Sequence, residues 1–209
     1  MKLGTKTKTA LLLTALALPL SVRAESPAVF KVISPIFSQL VTFSMPSNFV
    51  TAFETTAGPH YTREAVLKGQ TVERWTQMIT VTGEKGLSSK PAETPEKFAN
   101  TIAGGFKQAC PDSFAAKSFG ETRFGKASAF VAVVGCGNVE NHSEITLIAV
   151  IAGASDYYTI QWAERSAAIE QPAVEDSKWT ERLHLLQPIG VCAIVPGEAA
   201  PYPSCIGKN

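Results

Sequence analysis

Short runs in which apolar and polar residues alternate, each closed by a glycine or proline turn, recur from Leu40 to Glu164 and constrain what this chain can become. In Leu40 to Met45, Val41, Phe43 and Met45 share one side, and Pro46-Ser47-Asn48 turns the chain into a second run, Phe49 to Thr56. Gly58-Pro59 leads into Tyr61 to Leu67, and Lys68-Gly69-Gln70 separates that run from Val72 to Thr82. In the last of these, Trp75, Gln77, Ile79 and Val81 fall on one side and Arg74, Thr76, Met78 and Thr80 on the other. Successive side chains of a strand point to opposite faces, so a period of two predicts half-buried strands, and the two final runs predict an antiparallel hairpin. Ser26 to Ser34 reads as a lead-in ahead of the first strand.

Thr94-Pro95-Glu96 carries the start signals of a helix: a capping hydroxyl, a proline at the first helical position and an early carboxylate. Phe98, Ile102, Phe106 and Ala109 follow at helical spacing until Cys110-Pro111 ends it. Gly104-Gly105 inside that helix costs about 1 kcal/mol per glycine relative to alanine and predicts close packing on a sheet. A weaker strand is expected around Phe114 to Thr122. The nearly unbroken apolar runs Ala127 to Val134 and Ile145 to Ile151 suit central strands covered on both faces. Gly153 to Asp156 turns into Tyr157 to Glu164, with Tyr158, Ile160 and Trp162 on one side and Tyr157, Thr159 and Gln161 on the other. A last helix starts at Glu175-Asp176-Ser177, lines up Trp179, Leu183 and Leu186, and stops at Pro188 and Gly190. The expected fold class is α+β, a single largely antiparallel sheet covered by helices, with a loop-rich tail from 188 to 209.

The N-terminus reads as an export signal. Lys2, Lys6 and Lys8 precede an apolar run from Ala10 to Leu20, and small residues at Val22 and Ala24 suit cleavage between Ala24 and Glu25. That run is far shorter than the roughly 20 residues of a membrane-spanning helix, so no stable membrane insertion is expected after the signal is removed. Residues 25–209 then form one domain. Apolar residues make up 45% of the chain and the formal net charge is +1, which favours a globular core over disorder. No cluster of lysine and arginine marks a nucleic-acid partner.

Cys110, Cys136, Cys192 and Cys205 all lie in the exported part, where an oxidising compartment makes disulfides the leading reading. Four cysteines allow three connectivities. Proximity in sequence favours Cys110 with Cys136 and Cys192 with Cys205, the second clamping the Pro-rich segment Val195 to Ser204.

The order of elements, with the opening Val41-Thr42-Phe43-Ser44-Met45-Pro46-Ser47-Asn48-Phe49, resembles the PsbP/Mog1-type α/β/α sandwich, a group that includes bacterial DcrB-like exported proteins. The resemblance spans most of the mature chain and implies an accessory, binding or interaction protein. The four cysteines and the clamped tail are not part of that pattern.

No spacing assigns a catalytic, metal or cofactor residue. His60, His142 and His184 are too scattered for a zinc motif, and neither Gly-x-Ser-x-Gly nor Ser-x-x-Lys occurs. Gly135-Cys136-Gly137 would suit a reactive thiol beside His142, but the even cysteine count and export favour a disulfide. Glu54, Glu64, Glu73, Glu144 and Glu164 lie in or beside strands and read as solvent-facing. Amphipathic rings concentrate at recognition surfaces, which makes Trp75, Tyr157, Tyr158 and Trp162 the binding candidates, although core packing accounts for Tyr158 and Trp162 more simply. Asn141-His142-Ser143 matches a glycosylation acceptor. The expectation is a periplasmic or secreted, non-catalytic protein that contacts an envelope protein and needs no cofactor. A variant presents the Cys192 to Cys205 loop as a preorganised wedge against a secreted hydrolase. The alternative is an envelope hydrolase whose carboxylate or His142 site forms only on folding, inside a deep pocket.

Overall fold

Two sheets, rather than the single one expected, organise the computed structural model, which describes Met1 and residues 28–206. The proposed signal and the Ala24–Glu25 junction lie outside the described residues. In chain order the strands are β1 (Val29–Ile36), β2 (Gln39–Pro46), β3 (Phe49–Ala57), β4 (His60–Leu67) and β5 (Gln77–Glu84). Helix α1 (Pro95–Ala109) follows, then β6 (Phe114–Phe124), β7 (Ala127–Val139), β8 (His142–Ala152) and β9 (Tyr157–Ala167), and finally α2 (Lys178–Leu186), β10 (Gly190–Ala193) and α3 (Pro203–Ile206). The larger sheet runs β3-β4-β5-β9-β8-β7-β6 and the smaller β1-β2-β10, with every pairing antiparallel.

The two sheets face each other across the main core. Val41, Phe43 and Met45 of β2 meet Ile79, Val133, Leu147, Ile160 and Trp162 of the larger sheet, and α2 contributes Trp179 and Leu186. Each fully buried side chain such as Leu147 or Ile151 contributes about 1.5–3 kcal/mol. On the other face of the larger sheet, α1 lays Phe98, Ala99, Ile102 and Phe106 over Phe130, Ala132, Val134, Ile148 and Val150. The Thr94 hydroxyl accepts the Lys97 N–H at 3.2 Å, so this helix starts where its capping signal predicts. β7 and β8 are buried on both faces, as their apolar character requires.

Several local expectations change. The lead-in is strand β1, an edge position that tolerates Pro35, whose missing N–H would break a central ladder. β2 is buried on both faces instead of one, because the main core covers one side while Leu40 and Thr42 are also enclosed on the other. The run from Val72 becomes a strand only at Gln77. The segment before it folds over, so Trp75 packs with Val66, Met78 and Ala163, on the face opposite Ile79 and Val81. The tail is not all loop: β10 pairs with β2 in the register Gly190↔Thr42 to Ala193↔Gln39. Gly104 and Gly105 have nothing within 4 Å of where a Cβ would stand, so no close approach explains them.

Candidate functional site

Part of one sheet face is left open, with Phe53 and Thr55 exposed, Glu64, Thr80 and Gln161 half-buried, and Val66, Met78, Ala163 and Thr159 buried. α1 covers β6, β7 and β8, whereas on the same face of β3, β4, β5 and β9 helical residues reach only Tyr157, at the end of β9, among the described residues. In-register antiparallel partners share a face, which sets two rows across these four strands. One is Phe53, Glu64, Thr80 and Gln161; the next is Thr55, Thr62, Thr82 and Thr159. The neighbouring row, Val50, Val66, Met78 and Ala163, is partly roofed by Trp75, and the opposite end carries His60 and Glu84, paired at 2.6 Å.

Within the threonine row, the Thr82 and Thr159 hydroxyls are 2.7 Å apart and the Gln161 amide nitrogen donates to Thr159 Oγ1 at 3.0 Å. Tyr157 stacks on Phe98 of α1 at 5.7 Å, closing the border with the covered half. Glu64 makes no hydrogen bond or ion pair with the described residues, and burial pushes its carboxyl above the usual carboxylate range. The sequence signal for this surface is parity. β4, β5 and β9 set Thr62, Glu64, Thr80, Thr82, Thr159 and Gln161 on one parity, where β7 and β8 carry Phe130, Ala132, Val134, Ile148 and Val150.

The aromatic set does not form a recognition surface. Trp75 is 8% exposed, Tyr157 and Trp162 are 2% exposed, and Tyr158 is fully buried. Tyr158 and Trp162 point into the main core and Tyr157 towards α1, so the four rings do not converge. Tyr158 donates to Ile36 O and Asp156, and Phe49 meets the Trp162 ring edge-on at 5.2 Å. Alternation alone gave these rings one exposed side; the second sheet buries Tyr158 and Trp162, α1 packs over Tyr157, and Trp75 folds onto Val66, Met78 and Ala163.

The strand carboxylates are engaged separately. Glu54 accepts from the Tyr61 hydroxyl at 2.8 Å, Glu144 from Arg165 at 2.8 Å, and Glu164 from Lys178 at 3.0 Å and Arg182 at 2.8 Å. His142 Nε2 is buried 3.9 Å from Glu144, whose carboxylate is already held by Arg165. Among the described residues no three histidine, cysteine, aspartate or glutamate side chains gather as a metal site would require. A cleft of about 750 Å³ lies between the end of α1 and residues 168–171, and its titratable side chains are Asp112 and Glu170, both exposed.

Both disulfides take the pairing favoured by proximity, Cys110–Cys136 and Cys192–Cys205. Each residue of Gly135-Cys136-Gly137 has a packing role. Pro172 sits 2.8 Å from where a Gly135 Cβ would stand, Cys136 ties β7 to the end of α1, and Gly137 exchanges backbone bonds with Ser113 and Ile169. The second disulfide clasps the tail beside β1, leaving an apolar cavity of about 350 Å³ between Lys31 and Ile33 on one side and Ala200, Pro201, Tyr202 and Ile206 on the other. Val29, Phe30, Ile194, Val195 and Ile206, half of the large apolar side chains exposed in the described structure, belong to β1 and this tail.

No family model matches the chain, and no curated protein matches it in sequence. Among solved structures it is similar to a point mutant of the protein Mog1, with a TM-score of 0.44, 9% identity, and coverage of 74% of this chain and 84% of that one. It is likewise similar to the Ran-binding protein Mog1p of Saccharomyces cerevisiae, with a TM-score of 0.43, 9% identity and the same coverage. The likeness concerns the arrangement of strands and helices alone.

Proposed function

We propose that this chain is an exported, non-catalytic binding protein that contacts another protein of the cell envelope through its disulfide-clasped tail and the adjoining strand β1. The observation that carries this reading is the concentration of exposed apolar side chains there: Val29, Phe30, Ile194, Val195 and Ile206, beside an open apolar cavity. Apolar side chains that stay in water in the monomer release free energy when a partner covers them, at about 25 cal/mol per Å². The Cys192–Cys205 bond holds the tail in place before contact, which lowers the ordering cost of binding. Export is supported by the basic-then-apolar N-terminus and by four cysteines that all pair, the state an oxidising compartment maintains.

The test places a photo-crosslinking residue at Val195 in one variant and at the exposed Thr55, on edge strand β3 of the larger sheet, in another. The expected outcome is one stoichiometric protein adduct from the Val195 variant in intact cells and none from the Thr55 variant. N-terminal sequencing of the purified protein should begin at Glu25. Equal adducts from both positions, or a retained Met1 in the cytoplasm, would sink the proposal.

A further inference from the structure

The open part of the larger sheet is a second surface, distinct from the tail, and its composition selects a ligand. Its central row sets an aromatic ring, a carboxylate, a hydroxyl and an amide side by side on four adjacent strands, in the order Phe53, Glu64, Thr80 and Gln161. Neighbouring strands lie about 4.8 Å apart, so the row spans about 14 Å.

Phe53 is there because of a bulge. The register shifts between Thr51 and Phe53, so Thr51 pairs with Ala65 on the core face while Phe53 pairs with Glu64 on the open face. Without the extra residue the alternation would turn Phe53 to the face that carries Phe49 and Thr51. Instead it is 43% exposed beside a half-buried carboxylate. Bulges re-aim single side chains next to functional surfaces. Glu64 keeps both carboxylate oxygens free among the described residues, and Gln161 uses its amide nitrogen on Thr159 and leaves its carbonyl free. The row therefore offers strong hydrogen-bond acceptors beside a ring.

Charge narrows the choice. The one arginine on this face of β9, Arg165, is taken up by Glu144 at 2.8 Å and by the Trp75 ring, and Glu84 is paired with His60, so the charge left free along the central row is that of Glu64, which disfavours phosphates, acidic glycans and nucleic acids. An apolar helix would bury Glu64 and the threonine hydroxyls without partners, at about 1–3 kcal/mol for each group. A sugar satisfies every element: its hydroxyls donate to the carboxylate and the amide carbonyl, and the C–H face of its ring lies on an aromatic. We propose that this half-sheet binds a neutral oligosaccharide along the Phe53–Glu64–Thr80–Gln161 row.

The test is a titration of the isotopically labelled mature protein with cellohexaose, chitohexaose and maltohexaose, followed by amide chemical shifts. At least one sugar should perturb Phe53, Thr62, Glu64, Thr80 and Gln161 together, and leave the tail unmoved. Phe53→Ala and Glu64→Ala should each weaken that binding at least tenfold while the melting temperature and circular dichroism show a retained fold. Thr80→Ala, a smaller change, should weaken it severalfold and serves if either of the others fails to fold. The proposal is overturned if no sugar shifts these amides at millimolar concentration, if the shifts fall elsewhere, or if the variants bind as the parent does. It is equally overturned if a lysine-rich peptide binds this row and the sugars do not.

Discussion

The guanidinium of Arg165 lies 3.9 Å from the centroid of the Trp75 ring and donates at 2.8 Å to Glu144 on the next strand. One side chain thus roofs the indole and ties β9 to β8. Replacing Arg165 with methionine keeps the stem and removes both interactions. A loss of about 1–3 kcal/mol is expected in urea unfolding, from the cation–π contact and the charge-assisted bond together. An unchanged midpoint would mean that the ion pair and stacking contribute nothing measurable.

Gly105 inside α1 and Gly137 near the end of β7 should respond in opposite directions. Gly105→Ala meets open space inside a helix and should stabilise the protein by about 1 kcal/mol. Gly137→Ala drives a methyl group into the carbonyl oxygen of Ile169, which is backbone and cannot swing aside, so a loss of about 1–3 kcal/mol or more is expected. Thermal melts of the two variants check both signs.

Asp156 joins three elements. Its carboxylate accepts the Gly86 N–H at 2.8 Å, the Ser38 hydroxyl at 2.8 Å and the Tyr158 hydroxyl at 3.2 Å. Burial by itself pushes the carboxyl up, but these donors together outweigh it and hold the group below the ordinary aspartate range. A depressed folded-state value means that the contribution is complete above the ordinary range and is lost as pH falls through the folded value. Asp156→Asn should cost about 1–3 kcal/mol at neutral pH, and the gap to the parent should narrow below about pH 4. A gap that stays constant down to pH 2 would contradict this role.

The two disulfides enclose sequence separations of 26 and 13 residues. Each doubling of a loop adds about 0.6 kcal/mol of closure entropy, so removing Cys110–Cys136 should cost about that much more than removing Cys192–Cys205, on a base of about 2–4 kcal/mol. Paired serine replacements measured by denaturant unfolding decide it. The reverse order would show that folded-state packing around the clasped tail outweighs chain entropy.

The sequence by itself determined the elements whose signals are local. Thr94-Pro95-Glu96 starts α1 because a capping hydroxyl and a fixed proline φ act within one turn, and alternation places β3, β4 and β9 because side-chain direction follows from the strand backbone. The cysteine pairing also followed from proximity along the chain. Only the tertiary structure decided what each face meets. Tyr157, Tyr158, Trp75 and Trp162 read as candidates for a surface and are buried, because the second sheet covers Tyr158 and Trp162 on one side of β9, while on the other side α1 packs over Tyr157 and the loop before β5 folds Trp75 onto Met78 and Ala163. Strand β10 and the partition into two sheets rest on β2 pairing across about 150 residues of chain, a contact with no local signature. Phe53 shows the limit most directly. Strict alternation would group it with Phe49 and Thr51, and one extra residue, which only strand pairing can place, turns it to the face of Glu64.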